Sequence, residues 1–168
     1  MVLLLFLFHQ PCLHNLRNAN LCQHQVSWHC RLCQQLLLLI DDLELKKIHL
    51  VGFSLGALIA RDFASKYCER LLSLIIHGSI YKRNEDQRRV VLNRFSLAKM
   101  DKPTSRHMAL RRWLSQEFIK KNPEIYKTIY SQLETNDRKN FLKSYEVFVN
   151  FKDDDNVIKK IETNTLIT

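Results

Sequence analysis

One short stretch of the sequence has the residue types and spacing of a nucleophilic catalyst. Residues 52–56, GFSLG, match the pattern G-x-S-x-G, in which a serine hydroxyl can attack an acyl carbon. An apolar segment, residues 48–51, precedes the motif, and residues 57–64 contain good helix formers. The order therefore predicts a strand, a sharp turn at Ser54 and a helix.

The two glycines of this motif have a steric role in the predicted turn. Side chains two positions before and two positions after Ser54 would collide, and Gly52 and Gly56 have no Cβ atom. The serine would then be exposed at the N-terminus of a helix, where N–H groups stabilise negative charge. We expect Ser54 to be the nucleophile and the backbone N–H of Leu55 to be one oxyanion donor.

The surrounding sequence resembles a known family. Residues 46–80, KKIHLVGFSLGALIARDFASKYCERLLSLIIHGSI, are similar to the strand, nucleophile elbow, helix and strand at the centre of α/β-hydrolases of the AB hydrolase-1 type. The resemblance implies an α/β fold and hydrolysis of an ester, lactone or similar acyl bond in a small molecule. It implies neither a metal nor an organic cofactor. Serine at position 54 disfavours dehalogenase chemistry, which needs a carboxylate nucleophile.

Three other titratable residues lie near the motif. In this family the order is nucleophile, acid, then a late histidine. His77, which follows the next apolar strand, is therefore expected to be a loop or pocket-rim residue. His49 is expected to pack within its strand, and Asp62 lies inside the helix that follows Ser54, which makes it a poor candidate for the triad acid.

Apolar patterning and the family resemblance divide the chain from residue 35 onward into three segments. Residues 35–80 are the predicted hydrolase core. Residues 81–157 have apolar side chains at helical spacing, and the resemblance implies that they form a helical lid. Residues 158–168 resemble the strand that follows such a lid, after which the family has its acid and its histidine.

The segments that match the family predict a partial α/β-hydrolase fold, with few parallel strands, flanking helices and a lid. The first 51 residues contain no glycine, so the glycine-containing oxyanion loops of the family have no counterpart before the motif. We expect a truncated chain that has little or no activity by itself. The alternative is a non-catalytic binding module that retains the fold.

Residues 1–34 have an atypical composition. Residues 1–40 contain no Asp, Glu, Lys or Gly, but four of the five cysteines and four of the seven histidines. A single C-x-x-C pair, Cys30 and Cys33, with irregularly spaced neighbours is a weak zinc pattern. Translation of a wrong reading frame would also account for this composition.

Charge and hydropathy restrict the partners. The net charge is +9, but the basic residues are interleaved with acids and form no arginine-rich run, which disfavours nucleic acid. The apolar residues 2–8 are too few to span a membrane, and no basic segment or cleavage site makes them a signal peptide. We expect a cytoplasmic protein whose oligomeric state the sequence leaves open.

Overall fold

A computed structural model describes residues 2–5, 28–100 and 102–168. The chain forms two compact units. The first comprises Met1–Lys82 and Phe151–Thr168, and the second comprises Arg83–Asn150.

The first unit contains a four-stranded parallel sheet. Its strands are β1 (Val2–Leu5), β2 (Ile48–Phe53), β3 (Leu71–His77) and β4 (Thr165–Ile167), and they lie in that order across the sheet. All three pairs of neighbours are parallel. The predicted α/β class, with few parallel strands and flanking helices, is therefore confirmed.

Helices α1 (Trp28–Asp42) and α2 (Leu55–Lys66) pack with this sheet. Alternate residues of β2 are buried, beginning with Ile48, as expected for a strand with one face against helices. Nearly the whole of α2 is buried, because Gly56 to Ala64 form a continuous buried run. The core side chains of this unit are Cys33, Leu36, Ile40, Ile48, Leu50, Ala57, Ile59, Ala60, Phe63, Ala64, Leu71, Leu74 and Ile76.

The second unit is entirely helical in its described residues. It contains α3 (Glu85–Lys99), α4 (Pro103–Trp113), α5 (Gln116–Lys121), α6 (Pro123–Thr135) and α7 (Arg138–Asn150). Asn84 and Gln87 form a capping box at the start of α3, which satisfies N–H groups that lack a helical acceptor. A small core joins α3 to α7 and consists of Val91, Phe95 and Val149, with Leu142, Tyr145 and Phe148 against it.

Ion pairs attach the segments that lead into and out of the helical unit to the first unit. Arg61 on α2 pairs with Asp153 at 2.6 Å, and both side chains are less than 10% exposed. The second carboxylate oxygen of Asp153 accepts the backbone N–H of Lys82 at 2.8 Å. Asp155, in the short helix α8 (Asp155–Ile158), accepts from the Tyr81 hydroxyl and from Lys82 Nζ. The sequence grouped residues 81–82 and 151–157 with the lid. In the structure both segments belong to the sheet-containing unit, and these bonds join them to α2 and to each other.

Part of the atypical N-terminal segment can be placed. Residues 2–5 form β1 and residues 28–34 lie in α1, whereas the intervening residues, including Cys22 and His24, lie outside the described residues. The buried Cys33 thiol donates to Asp62 Oδ2 at 3.2 Å and contacts the Ile59 carbonyl at 3.6 Å. Within the described residues no group of three His, Cys, Asp or Glu side chains could hold a metal ion.

None of the helices in the described part of the chain combines the length and the hydropathy needed to cross a bilayer.

Replacing Asp153 with Asn should destabilise the protein strongly. The change leaves the buried Arg61 guanidinium without a counter-charge, and loss of one partner of a buried ion pair typically costs about 3–5 kcal/mol. The free energy of unfolding from urea denaturation measures the effect.

Glu124→Gln is the matched control, because Glu124 pairs with Lys127 on the surface of α6, where the two side chains are 80% and 71% exposed. Its cost should be less than about 1 kcal/mol. Equal costs for the two variants would show that the Arg61–Asp153 pair does not anchor these segments.

Candidate functional site

The carboxyl ends of β2, β3 and β4 lie together at one edge of the sheet. Ser54 follows β2 directly, and His77 is the last residue of β3. Thr168 follows β4. Open parallel sheets bind ligands at this edge because the loops there converge above the strand ends.

Ser54 has an unusual backbone conformation. Its φ is 53° and its ψ is −114°, and only three non-glycine residues in the described structure have a positive φ. Such a conformation costs free energy and persists where surrounding contacts enforce it. Here the Ser54 N–H donates to the His77 carbonyl at 3.0 Å, and the Ser54 carbonyl accepts from the Ala57 N–H at 3.1 Å.

Gly52 allows the helix to approach the strand closely. A Cβ atom at Gly52 would lie 2.6 Å from the Gly56 carbonyl oxygen, and 2.7 Å from both Ala57 Cα and Ala60 Cβ. Two of these three atoms belong to the backbone and cannot rotate away. The direction in which α2 leaves the turn at Ser54 therefore depends on the missing side chain at position 52.

Leu55 is the first residue of α2. The N–H groups of the first helical turn have no acceptor within the helix, and the helix dipole makes this end attractive to negative charge. The Leu55 N–H is thus of the kind that can donate to an oxyanion next to Ser54. Gly56, the second glycine of the motif, is buried in the same turn.

His77 is occupied by other contacts. Its ring stacks on Phe53 with centroids 5.3 Å apart, and its Nδ1 lies 2.7 Å from the Thr168 hydroxyl. Among the described residues, neither His77 nor any other side chain forms a hydrogen bond with the Ser54 hydroxyl. The structure brings Ser54 and His77 to the same edge of the sheet without linking their side chains.

The other two titratable residues near the motif have structural partners. His49 Nδ1 lies 2.8 Å from the Ser73 hydroxyl on the neighbouring strand. Asp62 accepts from Lys66 at 2.7 Å and from Cys33 at 3.2 Å. His49 is thus bonded within the sheet, and Asp62 is bonded to side chains of α1 and α2.

Two residues at this edge have no motif that would reveal them in the sequence. Thr168 holds the His77 ring. The Ser79 hydroxyl is buried and has no hydrogen-bond partner among the described residues. Both are small hydroxyl residues outside the strands, and only the alignment of the parallel strands brings Thr168 to His77.

Two surface clefts of the first unit lie away from Ser54. One of about 450 Å³ is lined by Asp41, Glu44, Leu45, Lys46 and Arg70. Another, of about 290 Å³, includes residues 68–72 and 162–164. Both lie at the amino ends of strands β2, β3 and β4, whereas Ser54 lies at the carboxyl end of β2.

Comparison with known proteins identifies a family and a fold. The sequence profile of the Ndr family matches residues 14–168. A search of curated proteins found no match.

Solved structures share the fold at low sequence identity. The enol-lactonase from Burkholderia xenovorans LB400 superposes with a TM-score of 0.71 and 17% identity over 83% of this chain and 53% of its own. A hydrolase from Pseudomonas aeruginosa PA01 superposes with a TM-score of 0.71 and 18% identity, over 83% of this chain and 52% of its own. The esterase EaEST from Exiguobacterium antarcticum superposes with a TM-score of 0.67 and 16% identity, over 83% of this chain and 54% of its own. The chain thus has an α/β-hydrolase fold and spans about half the length of these structures.

Replacing Gly52 with Ala should disrupt the turn at Ser54. The added methyl group would overlap α2 backbone atoms at 2.6–2.7 Å, and overpacking of this kind costs about 1–3 kcal/mol or more. Gly78→Ala is the matched comparison, because the three atoms nearest to a Cβ atom there all belong to the Phe53 side chain, the first at 3.0 Å, and none to the backbone.

Gly78 has a φ of 58°, so its replacement carries the left-handed penalty of about 1–2 kcal/mol, and the Phe53 ring must shift by a few tenths of an ångström. Urea denaturation should rank Gly52→Ala as the more destabilising of the two variants. The opposite ranking would show that close packing of α2 on β2 does not control the turn.

Proposed function

This chain belongs to the Ndr family, and on that premise we propose that Ser54 is the nucleophile of a site that hydrolyses an ester, lactone or similar acyl bond in a small molecule. The observation that carries the proposal is the conformation of Ser54. A serine with φ 53° and ψ −114° stands between a parallel strand and a buried helix, which is the setting that makes G-x-S-x-G a catalytic motif.

Solved structures support the class of reaction. Proteins described as an enol-lactonase and an esterase share the fold at TM-scores of 0.71 and 0.67. Their identity to this chain is 17% and 16%, so the substrate class is our proposal and rests on Ser54 and its turn.

The chemistry would begin with attack by Ser54. Its Oγ would bond to the acyl carbon, the carbonyl electrons would move to oxygen, and the Leu55 N–H would stabilise that oxyanion. Collapse would expel the leaving alcohol, or open the ring of a lactone, and leave an acyl-serine ester. Water would then hydrolyse this ester and regenerate Ser54.

A base must accept the Ser54 proton for this sequence to be fast. In the part of the chain that the structure describes, the hydroxyl has no hydrogen-bonded base, and His77 is bonded to Thr168 instead. A serine without an adjacent base is a weak nucleophile. We therefore propose that this chain by itself hydrolyses esters slowly or not at all.

The same observation favours a second candidate function. A protein that retains the strained turn but has no base beside Ser54 could bind a small acyl-containing molecule at the sheet edge without turnover. In that case the Leu55 N–H, at the N-terminus of α2, would bind the acyl oxygen of the ligand, as it would bind the oxyanion in catalysis.

The turnover of p-nitrophenyl acetate tests the activity of the chain. We expect a rate at the level of the protein-free reaction, which Ser54→Ala leaves unchanged. Fast turnover that Ser54→Ala abolishes would contradict the low activity expected of this chain, and it would establish Ser54 as the nucleophile.

A cysteine substitution tests the site independently of the missing base. The thiol introduced by Ser54→Cys should have a pKa below the usual value of about 8.5, because helix N-termini stabilise thiolates. The pH dependence of its alkylation by iodoacetamide, followed by peptide mass spectrometry, gives this pKa separately from those of the native cysteines.

Ser65→Cys is the matched control, because Ser65 lies in the last turn of the same helix, where the dipole disfavours a thiolate. Its thiol should have the higher pKa. Equal values at positions 54 and 65 would argue against an anion-stabilising site at Ser54, and therefore against both candidate functions.

A further inference from the structure

Two helices of the helical unit meet through a histidine and two tyrosines. His107 lies on α4, and Tyr126 and Tyr130 lie on α6. The two tyrosines are four residues apart, so they project from the same face of α6. The His107 ring stacks on both of them, with its centroid 4.6 Å from that of Tyr130 and 6.1 Å from that of Tyr126. The proposed site at Ser54 does not use these three side chains.

A hydrogen bond in this group joins a nucleophile to a base. His107 Nδ1 lies 2.6 Å from the Tyr126 hydroxyl oxygen, within the range found for nucleophile–base pairs in enzymes. In the tautomer that carries its proton on Nε2, the imidazole accepts the hydroxyl proton at Nδ1. Because a phenol is a much stronger acid than an alcohol, an imidazole can remove its proton without the help of a carboxylate.

Aromatic stacking fixes the direction of the imidazole. The planes of the His107 and Tyr130 rings are inclined by 27°, and those of His107 and Tyr126 by 9°. The base of a catalytic pair is usually oriented by a third group. Tyr130 has this role here, since its ring holds the imidazole with Nδ1 at the Tyr126 hydroxyl, and it is therefore a positioning residue.

The His107–Tyr126 pair lies at the surface of the helical unit. His107 is exposed and Tyr126 is half-buried. The helix that carries the tyrosine, α6, has no buried residue. The hydroxyl and its base are thus within reach of a small reagent from solvent.

The other tyrosines of the described structure have less reactive surroundings. The Tyr81 hydroxyl donates to the Asp155 carboxylate, and this hydrogen bond raises the pKa of Tyr81. Hydrogen bonds from Lys82 and Tyr81 lower the pKa of Asp155, which makes this carboxylate a poor base. Burial raises the pKa of Tyr145. Among the tyrosines that the structure describes, Tyr126 alone has its hydroxyl bonded to an imidazole.

We propose that Tyr126 is a site of covalent acylation, with His107 as its general base and an activated ester as the acyl donor. Tyr126 Oη attacks the acyl carbon, its proton passes to His107 Nδ1, and the carbonyl electrons move to oxygen. When the carbonyl re-forms, the bond to the leaving group breaks, and the leaving group takes the electron pair. The products are an acyl ester of Tyr126 and the free leaving group, and His107 releases the proton to solvent.

Acetylation by p-nitrophenyl acetate tests the proposal on the whole chain. We expect a burst of about one p-nitrophenolate per chain, and then the rate of the protein-free reaction, because the ester of an ordinary phenol is far less reactive than that of p-nitrophenol. Peptide mass spectrometry should find the acetyl group on Tyr126. Tyr126→Phe should abolish the burst. His107→Phe keeps a ring against Tyr130 but has no nitrogen, and it should slow the burst about a hundredfold or more, which is the usual contribution of a general base.

Tyr81→Phe is the matched control, because Tyr81 is 46% exposed and its hydroxyl is bonded to a carboxylate instead of an imidazole. It should leave the burst unchanged. The positioning role of Tyr130 has its own pair of variants. Tyr130→Leu removes the stacked ring and should slow the burst, whereas Tyr130→Phe keeps the ring and should preserve the rate.

Several outcomes would overturn the proposal. They are the absence of a burst, acetyl groups spread over tyrosines and lysines according to their exposure, and a burst rate that His107→Phe leaves unchanged. Ser54→Ala should not affect the burst. A burst that Ser54→Ala abolishes would place the reactive hydroxyl at Ser54 and not at Tyr126, so the test separates this site from the proposed hydrolytic one.

Discussion

The close packing of α2 on β2 is the contact on which the rest of the first unit depends. The helix can leave the strand so sharply only because position 52 has no Cβ atom where α2 backbone atoms lie at 2.6–2.7 Å. The same turn puts Ser54 in a left-handed backbone conformation and directs its N–H to the His77 carbonyl on β3. The close packing of α2 and the backbone strain at Ser54 thus have one cause.

The buried helix α2 also organises more distant parts of the chain. The Cys33 thiol of α1 donates to the Asp62 carboxylate of α2. The neighbouring Arg61 of α2 pairs with Asp153, in the segment that follows the helical unit. Because one helix supports the turn at Ser54 and the two connecting segments, loss of its packing would affect the turn and the connections together. This coupling explains why charged residues occur among the buried residues of α2.

The two units differ in the chemistry that they can provide. At the sheet edge, partial positive charge comes from backbone N–H groups at the start of α2, which suits a transient oxyanion. In the helical unit, positive charge comes from 15 lysine and arginine side chains, against 8 acidic ones. The helical unit thus carries +7 of the +9 charge of the chain.

Local chemistry in the sequence determined a large part of the first unit. The apolar run at 48–51 and the glycine spacing around Ser54 predicted the strand, turn and helix found as β2 and α2, because both patterns act over a few residues. The run that follows predicted the next parallel strand, found as Leu71–His77. The predicted helices after residue 81 were also found, since amphipathic spacing is a local property.

Only the tertiary structure decided which distant residues meet. The pairs His77–Thr168, Arg61–Asp153 and His49–Ser73 join positions 91, 92 and 24 residues apart. Each depends on strand register or on the return path of the chain, which no local pattern encodes. For the same reason, only the packing of α3 against α7 brings the ring centroids of Phe95 and Tyr145 to 5.3 Å.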